Sequence, residues 1–191
     1  MEPQETTRLL VAARQGSATA LDDLYRRCAP KLLPLIRLRM GRSLRSNLES
    51  RDILQAVLLK SFQKLSQVQD PATLMAWLSR IAENEIRDQA DFHHRQRRED
   101  ARRAPIEAAE DLPAPVRQAL SQAIESERSE QLERALEALP EAQREVIVLR
   151  KLEELTFPEI ASRLGKSEDA SRMMFARAMT ALTLELKGER G

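Results

Sequence analysis

The sequence predicts an all-α protein made of two small helical domains joined by a flexible linker. Charged residues make up 32% of the 191 residues and aromatic residues only 3%, a composition that favours helices. No alternating run of β-branched residues has the length of a strand, whereas apolar residues recur at helical spacing. Residues 99–127 differ from the helical stretches on either side, since they are acidic and contain Pro105, Pro113 and Pro115. We therefore expect domains at 7–98 and 128–187, with 99–127 as the linker.

Helical stretches in the N-terminal domain are separated by short breaks in the apolar spacing. Their predicted bounds are about 7–28, interrupted at Gly16-Ser17, then 30–48, 50–65 and 72–98. The third stretch carries an apolar face at helical spacing: Ile53, Leu54, Val57, Leu58, Phe62 and Leu65. A loop at 66–71 follows it, and the fourth stretch ends in a polar, basic extension at 93–98. In the fourth, we expect Trp77 to pack in the core rather than stack on bases.

The C-terminal domain contains a predicted helix-turn-helix, the unit that places a helix in the DNA major groove. Thr156 and Glu159 have the spacing of a capping box, which predicts a helix start. Gly165 suits the left-handed position that ends this helix, and Ser167 can cap the next one. Polar residues of the second helix that can reach bases are Lys166, Ser167, Glu168, Ser171, Arg172 and Arg177.

Charge is unevenly distributed along the chain. Residues 1–98 carry 17 basic and 11 acidic groups, residues 99–127 carry 3 and 7, and residues 128–191 carry 11 and 12. Non-specific DNA affinity comes mostly from neutralising phosphates, so the helix-turn-helix domain should bind DNA weakly by itself. This balance predicts a DNA-binding module that relies on a partner for affinity.

Composition also argues against several functional classes. Cys28 is the single cysteine, which excludes an internal disulfide and a cysteine-rich zinc cluster, and His93-His94 lack metal-site spacing. There is no pairing of a nucleophile with a base and no glycine-rich phosphate loop, so we expect no catalytic residues, metal or other cofactor. The first residues have no basic segment followed by an apolar core, so we expect no signal peptide, and no apolar run approaches membrane-spanning length. We expect a cytoplasmic protein without membrane insertion.

In three segments, Arg51–Leu65, Ala76–Asp88 and Leu136–Arg150 with the helix-turn-helix, the chain resembles the bacterial RNA polymerase sigma factors of the sigma-70 family, in the extracytoplasmic-function (ECF) group. Arg51–Leu65 (RDILQAVLLKSFQKL) resembles the region 2 helix that binds the clamp helices of core RNA polymerase. Ala76–Asp88 (AWLSRIAENEIRD) resembles the helix that reads the promoter −10 element. Leu136–Arg150 (LEALPEAQREVIVLR), with the helix-turn-helix, resembles region 4, which reads the −35 element. The resemblance implies a non-enzymatic factor that directs core polymerase to promoters and stabilises the melted −10 region.

The resemblance also implies which residues make the contacts. Those for core polymerase are Arg51, Asp52, Gln55 and Lys60. Those for the −10 element are Ser66, Gln67, Gln69, Arg80, Asn84, Arg87, Asp88, Arg95, Arg97 and Arg98. The polar residues of the second helix given above are those for the −35 element. Ala56 departs from the pattern, because the family commonly has an acidic residue there. For each polar position the alternative is an ordinary solvated helix face.

The sequence alone does not decide between several further partners and rival functions. The Met173-Met174 pair is expected to pack against the first helix of the helix-turn-helix or against the polymerase flap. Five arginines at 37–51 against one acid favour a phosphate or polymerase contact. Many relatives are held by an anti-sigma factor, but no residue here identifies one. The rival functions are a free-standing helix-turn-helix regulator, which binds an operator without polymerase, and an enzyme.

Overall fold

The computed structural model describes residues 3–45, 48–68, 70–98 and 127–188, without the side chains of 3, 42–43, 93–98 and 127–130. Across these ranges every regular element is helical, which confirms the predicted all-α class. The helices are α1 Pro3–Arg14, α2 Ala18–Arg45, α3 Ser50–Lys64, α4 Leu74–Arg98, α5 Glu127–Ala138, α6 Glu141–Ile147, α7 Phe157–Leu164 and α8 Glu168–Gly188. The chain divides into two compact units, Met1–Ile124 and Glu125–Gly191, as expected for two domains. The predicted linker lies outside the described residues except for Glu127.

Helix α2 is the centre of the first unit and corrects one predicted boundary. We expected a break between residues 28 and 30, but Pro30 and Pro34 both lie inside the helix. An internal proline costs about 3 kcal/mol because it removes a hydrogen bond and crowds the preceding turn. Burial of each large apolar side chain contributes roughly 1.5–3 kcal/mol to stability and so offsets this cost. The side chains of α2 with at most 1% exposure include Leu24, Leu32, Leu33, Leu35 and Ile36.

The regular backbone of α2 is interrupted later, at Gly41. This residue has φ 64° and ψ 169°, a conformation that is accessible to glycine and strained for other residues. Helices α3 and α4 pack against α2 and against each other, while α1 packs on α2. The Tyr25 hydroxyl, buried between α2 and α3, lies 2.8 Å from Ser61 Oγ and donates to the Leu58 carbonyl at 3.2 Å. Burial raises the pKa of Tyr25 far above its ordinary value.

The second unit is built around the apolar faces of α6, α7 and α8. Helix α6 leads into a wider turn at Val148–Leu152, in which the Glu153 N–H donates to the Val148 carbonyl at 3.0 Å. No pattern in the sequence indicated this π-type turn. Core residues with 5% exposure or less include Val146, Leu149, Ile160, Ala178 and Leu182. Helix α8 contacts α5, α6 and α7, so its inner side is covered along its length.

Candidate protein and nucleic-acid interfaces

The outer face of α3 carries the residues predicted to bind polymerase. Arg51 and Asp52 are exposed in its first turn, while Gln55 is partly buried. Ile53, Leu54, Val57 and Leu58 are at most 2% exposed on the opposite side, as the apolar spacing predicted. Partial burial, and secondarily the nearby negative charge of Glu49, raise the pKa of Asp52 above its ordinary value. We call Arg51, Asp52 and Gln55 the α3 face.

Lys60, also predicted as a polymerase contact, has a partner inside the first unit. Its ammonium group forms an ion pair with Glu85 of α4, whose side chain is only 7% exposed. The other carboxylate oxygen of Glu85 accepts a hydrogen bond from Gln89 Nε2 at 3.3 Å. A buried carboxylate is costly unless it is paired, so Lys60 helps to hold α3 against α4.

Phe62 differs from the sequence prediction. We placed it on the apolar face of α3, but its side chain is 45% exposed. The position lies four residues after the buried Leu58, so helical spacing alone could not separate it from the core. This aromatic side chain on the surface of α3 was not among the predicted contacts.

An exposed polar stripe runs along α4, formed by Arg80, Asn84, Arg87 and Asp88. These residues follow the i, i+4, i+7, i+8 pattern that places side chains on one helix face, and all four are exposed. Leu78, just before them in sequence, and Ala82, between Arg80 and Asn84, are fully buried. We call the four residues the α4 stripe. It combines an amide and a carboxylate, which can bond to base edges, with two guanidinium groups that suit phosphates.

The segment before α4 is compact and capped. The carboxylate of Asp70 accepts a hydrogen bond from the Ala72 N–H at 2.9 Å and so caps the short turn Pro71–Thr73. Ser66 and Gln67 are exposed in the preceding turn, Leu65–Gln67. Trp77 is partly buried and is therefore not one of the fully covered core side chains. Gln69 and the side chains of Arg95, Arg97 and Arg98 lie outside the described residues.

The helix-turn-helix forms as predicted. Glu159 Oε2 accepts hydrogen bonds from the Thr156 N–H at 2.7 Å and hydroxyl at 2.6 Å, and these bonds lower the pKa of Glu159. Gly165 adopts the left-handed conformation with φ 63° and ψ 37°. Ser167 Oγ accepts from the Ala170 N–H at 3.2 Å, which is the expected N-cap of α8. The turn between α7 and α8 is thereby fixed at both ends.

Ser171 corrects the predicted set of base-contacting residues. It has no exposed surface, and its hydroxyl donates to the Ser167 carbonyl at 3.0 Å. Ser171 therefore lies on the inner side of α8, with Ala178 and Leu182, and cannot reach a base edge. The hydroxyl is satisfied within its own helix, which explains how a polar residue is accommodated there.

Arg172 is exposed but positioned by neighbouring side chains. It pairs with Glu168 one turn earlier, and its guanidinium lies 4.6 Å from the centroid of the Phe157 ring. Phe157 and Phe175 meet edge to face at 5.8 Å, which joins α7 to α8. Arg150 lies 5.1 Å from the Phe157 ring and Lys151 lies 5.7 Å from the Phe175 ring. Sequence reasoning missed this grouping because its members come from three separate segments.

A shallow cleft lies beside α8. Its volume is about 390 Å³, and its lining consists of Gln143, Lys166, Ala170, Met173, Met174 and Arg177. Met173 is 57% exposed, so of its two expected partners α7 is wrong and the polymerase flap stays a prediction, whereas Met174 is partly buried. Lys166 and Arg177, both predicted as DNA contacts, are exposed at this cleft.

In the described part of the chain, no group of three or more His, Cys, Asp or Glu side chains is arranged to hold a metal ion. Among the helices with described residues, none combines the length and apolar character that crossing a membrane requires.

Comparisons with known proteins match both units. The profile described as Sigma-70 region 2 matches residues 14–99, and the profile described as Sigma-70, region 4 matches residues 129–182. RNA polymerase sigma factor CarQ of Myxococcus xanthus is 32% identical over 92% of this chain and 94% of its own length. ECF RNA polymerase sigma factor SigD of Mycobacterium tuberculosis is 27% identical over 97% of this chain and 86% of its own.

Two further similarities differ in extent. The probable RNA polymerase sigma factor RfaY of Xanthomonas campestris is 37% identical over 72% of this chain, but the match spans only 34% of that longer protein. A solved structure of CnrH in complex with the cytosolic domain of CnrY has a TM-score of 0.48 to this chain, at 24% sequence identity. The match covers 96% of this chain and 98% of the CnrH chain.

Proposed function

The chain belongs to the sigma-70 family of RNA polymerase sigma factors, in its ECF group, and on that premise we propose how its residues act in promoter-specific initiation. The observation that carries the proposal is that region 2 and region 4 occur in one chain, each on its own compact helical unit. A factor of this kind directs core RNA polymerase to a promoter. Initiation then needs two DNA contacts and one polymerase contact to be made together.

The α3 face is proposed to bind the clamp helices of core polymerase. Asp52 supports this role because an exposed carboxylate in a first helical turn offers a charged acceptor to a basic partner. The ion pair of Lys60 with Glu85 supports a different role for Lys60, which is to hold the helix that carries this face. Phe62 extends the exposed surface of α3 with an apolar group, and aromatic residues are enriched in protein interfaces.

The α4 stripe is proposed to read the −10 element. Arg80 and Arg87 suit the phosphate backbone, while Asn84 and Asp88 suit base edges exposed when the strands separate. Unstacking a base costs a few kcal/mol, which contacts to the unpaired base must offset. The exposure of all four side chains on one helix face supports this role. Ser66, Gln67 and Gln69, just upstream of α4, are proposed to enclose the captured base, and Arg95, Arg97 and Arg98 to follow the duplex phosphates.

Helix α8 is proposed to read the −35 element from the major groove. Lys166, Ser167, Glu168, Arg172 and Arg177 form the proposed set, from which Ser171 is removed by its burial. The near-neutral charge of 128–191, with 11 basic and 12 acidic groups, supports weak binding of this unit alone. Joining it to the first unit raises its effective concentration at the promoter, so the two contacts reinforce each other.

The remaining partners follow from the same premise. The polymerase flap is proposed to hold the second unit, and an anti-sigma factor to control the free protein, as the family resemblance implies. A factor that acts on bacterial core polymerase works in the cytoplasm, at the nucleoid when bound. The chain itself is proposed to carry no catalytic group, since polymerase supplies the chemistry.

Co-elution of the purified chain with core RNA polymerase tests the proposed assembly. We expect a stable complex with polymerase and little binding to duplex DNA by the chain alone. Asp52→Arg should weaken competition for core polymerase by about thirtyfold or more, because loss of one partner of a charge pair that is buried at an interface typically costs about 2–5 kcal/mol.

Asp23→Arg is the matched control, since it reverses an exposed carboxylate of α2 that lies outside the proposed interface. Equal competition by the Asp52 variant and the wild type would remove the α3 face from the polymerase contact. Failure of the wild-type chain to bind core polymerase would overturn the function itself.

A further inference from the structure

Met173 lies on the exposed side of the helix that the helix-turn-helix presents to DNA. Its side chain is 57% exposed, whereas Ser171, Ala178 and Leu182 cover the inner side of the same helix. A single exposed apolar residue is ordinary on a protein surface. Met173 is distinguished by its place in the cleft beside α8, between small and basic neighbours.

The cleft combines an apolar floor with two cations. Ala170, Met173 and Arg177 follow the i, i+3, i+7 pattern of one helix face, and Lys166 precedes the helix on the same cleft. Lys166 and Arg177 are exposed, so they favour a negatively charged occupant. A protein surface would offer apolar groups or carboxylates, but DNA offers phosphates on both sides of a groove that contains methyl groups.

We propose that Met173 recognises one thymine of the −35 element through the C5-methyl group of that base. The methyl group is the one apolar feature of the major groove, and apolar side chains discriminate thymine by contacting it. Methionine is flexible and polarizable, so it can follow the methyl group without a fixed geometry. Lys166 and Arg177 bind acceptors on either side of this contact. The inference rests on the proposed function of α8 and adds a base identity to it.

Replacing thymine with deoxyuridine isolates this contact, because it removes the methyl group and keeps every hydrogen-bonding atom. Duplexes are first selected by the full chain bound to core polymerase from a library randomised at the −35 element. Each selected thymine is then replaced singly. Loss of one buried methyl, at about 0.8 kcal/mol, should weaken promoter binding about fourfold at one position.

Substitutions in the protein are combined with the uracil replacements in the DNA. Met173→Ala should weaken binding to the thymine duplex and make it insensitive to uracil at that position. Leu184→Ala is the control, since this apolar side chain is 65% exposed on the same helix, is not part of the cleft lining and should keep the sensitivity to uracil. Co-elution with core polymerase is measured for each variant before DNA is added.

Several results would overturn the inference. The first is that uracil weakens promoter binding at none of the selected positions. The second is that uracil weakens binding by Met173→Ala as much as binding by the wild type. The third is that the selected −35 element contains no thymine. Weaker co-elution of Met173→Ala with polymerase, at unchanged uracil sensitivity, would assign the residue to the polymerase instead. If the wild-type chain forms no complex with polymerase, the proposed function fails and the inference fails with it.

Discussion

Asn84 is the residue whose proposed contact with the −10 element bears most directly on strand opening. It is exposed at the centre of the α4 stripe, one turn after Arg80 and one turn before Asp88. An amide carries both donors and an acceptor, so it can bond to the edge of an unpaired base in a way that a guanidinium or a carboxylate cannot. Its side chain has no evident role in the core, because buried residues of α4 lie on the opposite side.

Asn84→Ala should reduce open-complex formation and leave polymerase binding intact. The loss of a base-edge contact is expected to cost ~1–3 kcal/mol, which corresponds to about tenfold less open complex at limiting holoenzyme. Permanganate reactivity of thymines in the −10 region measures the opening, and competition for core polymerase measures the binding.

The control is Gln15→Ala, which removes an exposed amide from the same unit outside α4. Equal opening by the Asn84 variant and the wild type would remove this residue from the −10 contact. A parallel loss of polymerase binding would show that the substitution acts on assembly instead.

The exposure of a side chain was predicted from its residue type more accurately for charged residues than for apolar or small polar residues. Asp52 and the residues of the α4 stripe are exposed as expected, because an unpaired buried charge is costly. Phe62 and Ser171 were misplaced, and Met173 does not pack against α7, which was one of its two expected partners. An apolar side chain can stay on the surface at small cost, and a serine hydroxyl can be satisfied by its own helix, so neither residue type reveals its face.

At the scale of elements, α7 and its turn depend on one backbone position. Gly165 has φ 63°, and a side chain there would be strained even though a Cβ would meet no atom within 4 Å. Gly188, the last residue of α8, has equal space and is not among the glycines with positive φ. The two glycines therefore separate the effect of backbone conformation from the effect of packing.

Gly165→Ala should lower the free energy of unfolding of the second unit by about 1–2 kcal/mol, the cost of a left-handed residue with a Cβ. Gly188→Ala should change it by less than about half as much. Urea unfolding of the full chain, followed by circular dichroism, makes the comparison. A Gly165 variant as stable as the Gly188 variant would contradict the role of this turn.

Helix boundaries marked by local hydrogen bonds were predicted correctly, and those decided by packing were not. Thr156, Glu159 and Ser167 cap α7 and α8 as their spacing indicated. Pro30 suggested a break, yet α2 continues through it because its neighbours are buried on several sides. The intrinsic helix propensity of a residue depends only on its local sequence. The burial that overrides the low propensity of proline here depends on α1, α3 and α4, which pack around α2.

At the scale of the whole molecule, the division into two helical units followed from the charge and proline content of 99–127. The units separate the proposed tasks, since the first carries the α3 face and the α4 stripe and the second carries α8. Neither DNA contact needs to be strong alone, because a tether raises the effective concentration of the second contact once the first has formed. Polymerase must therefore be present when the promoter is read.

Selection of duplexes from a randomised DNA library, with the chain alone and with the chain bound to core polymerase, tests that requirement directly. With polymerase, we expect enrichment of two sequence elements at a constant separation. The chain alone should enrich neither. Enrichment of a single element by the chain alone, unchanged by polymerase, would contradict the account and identify a free-standing regulator.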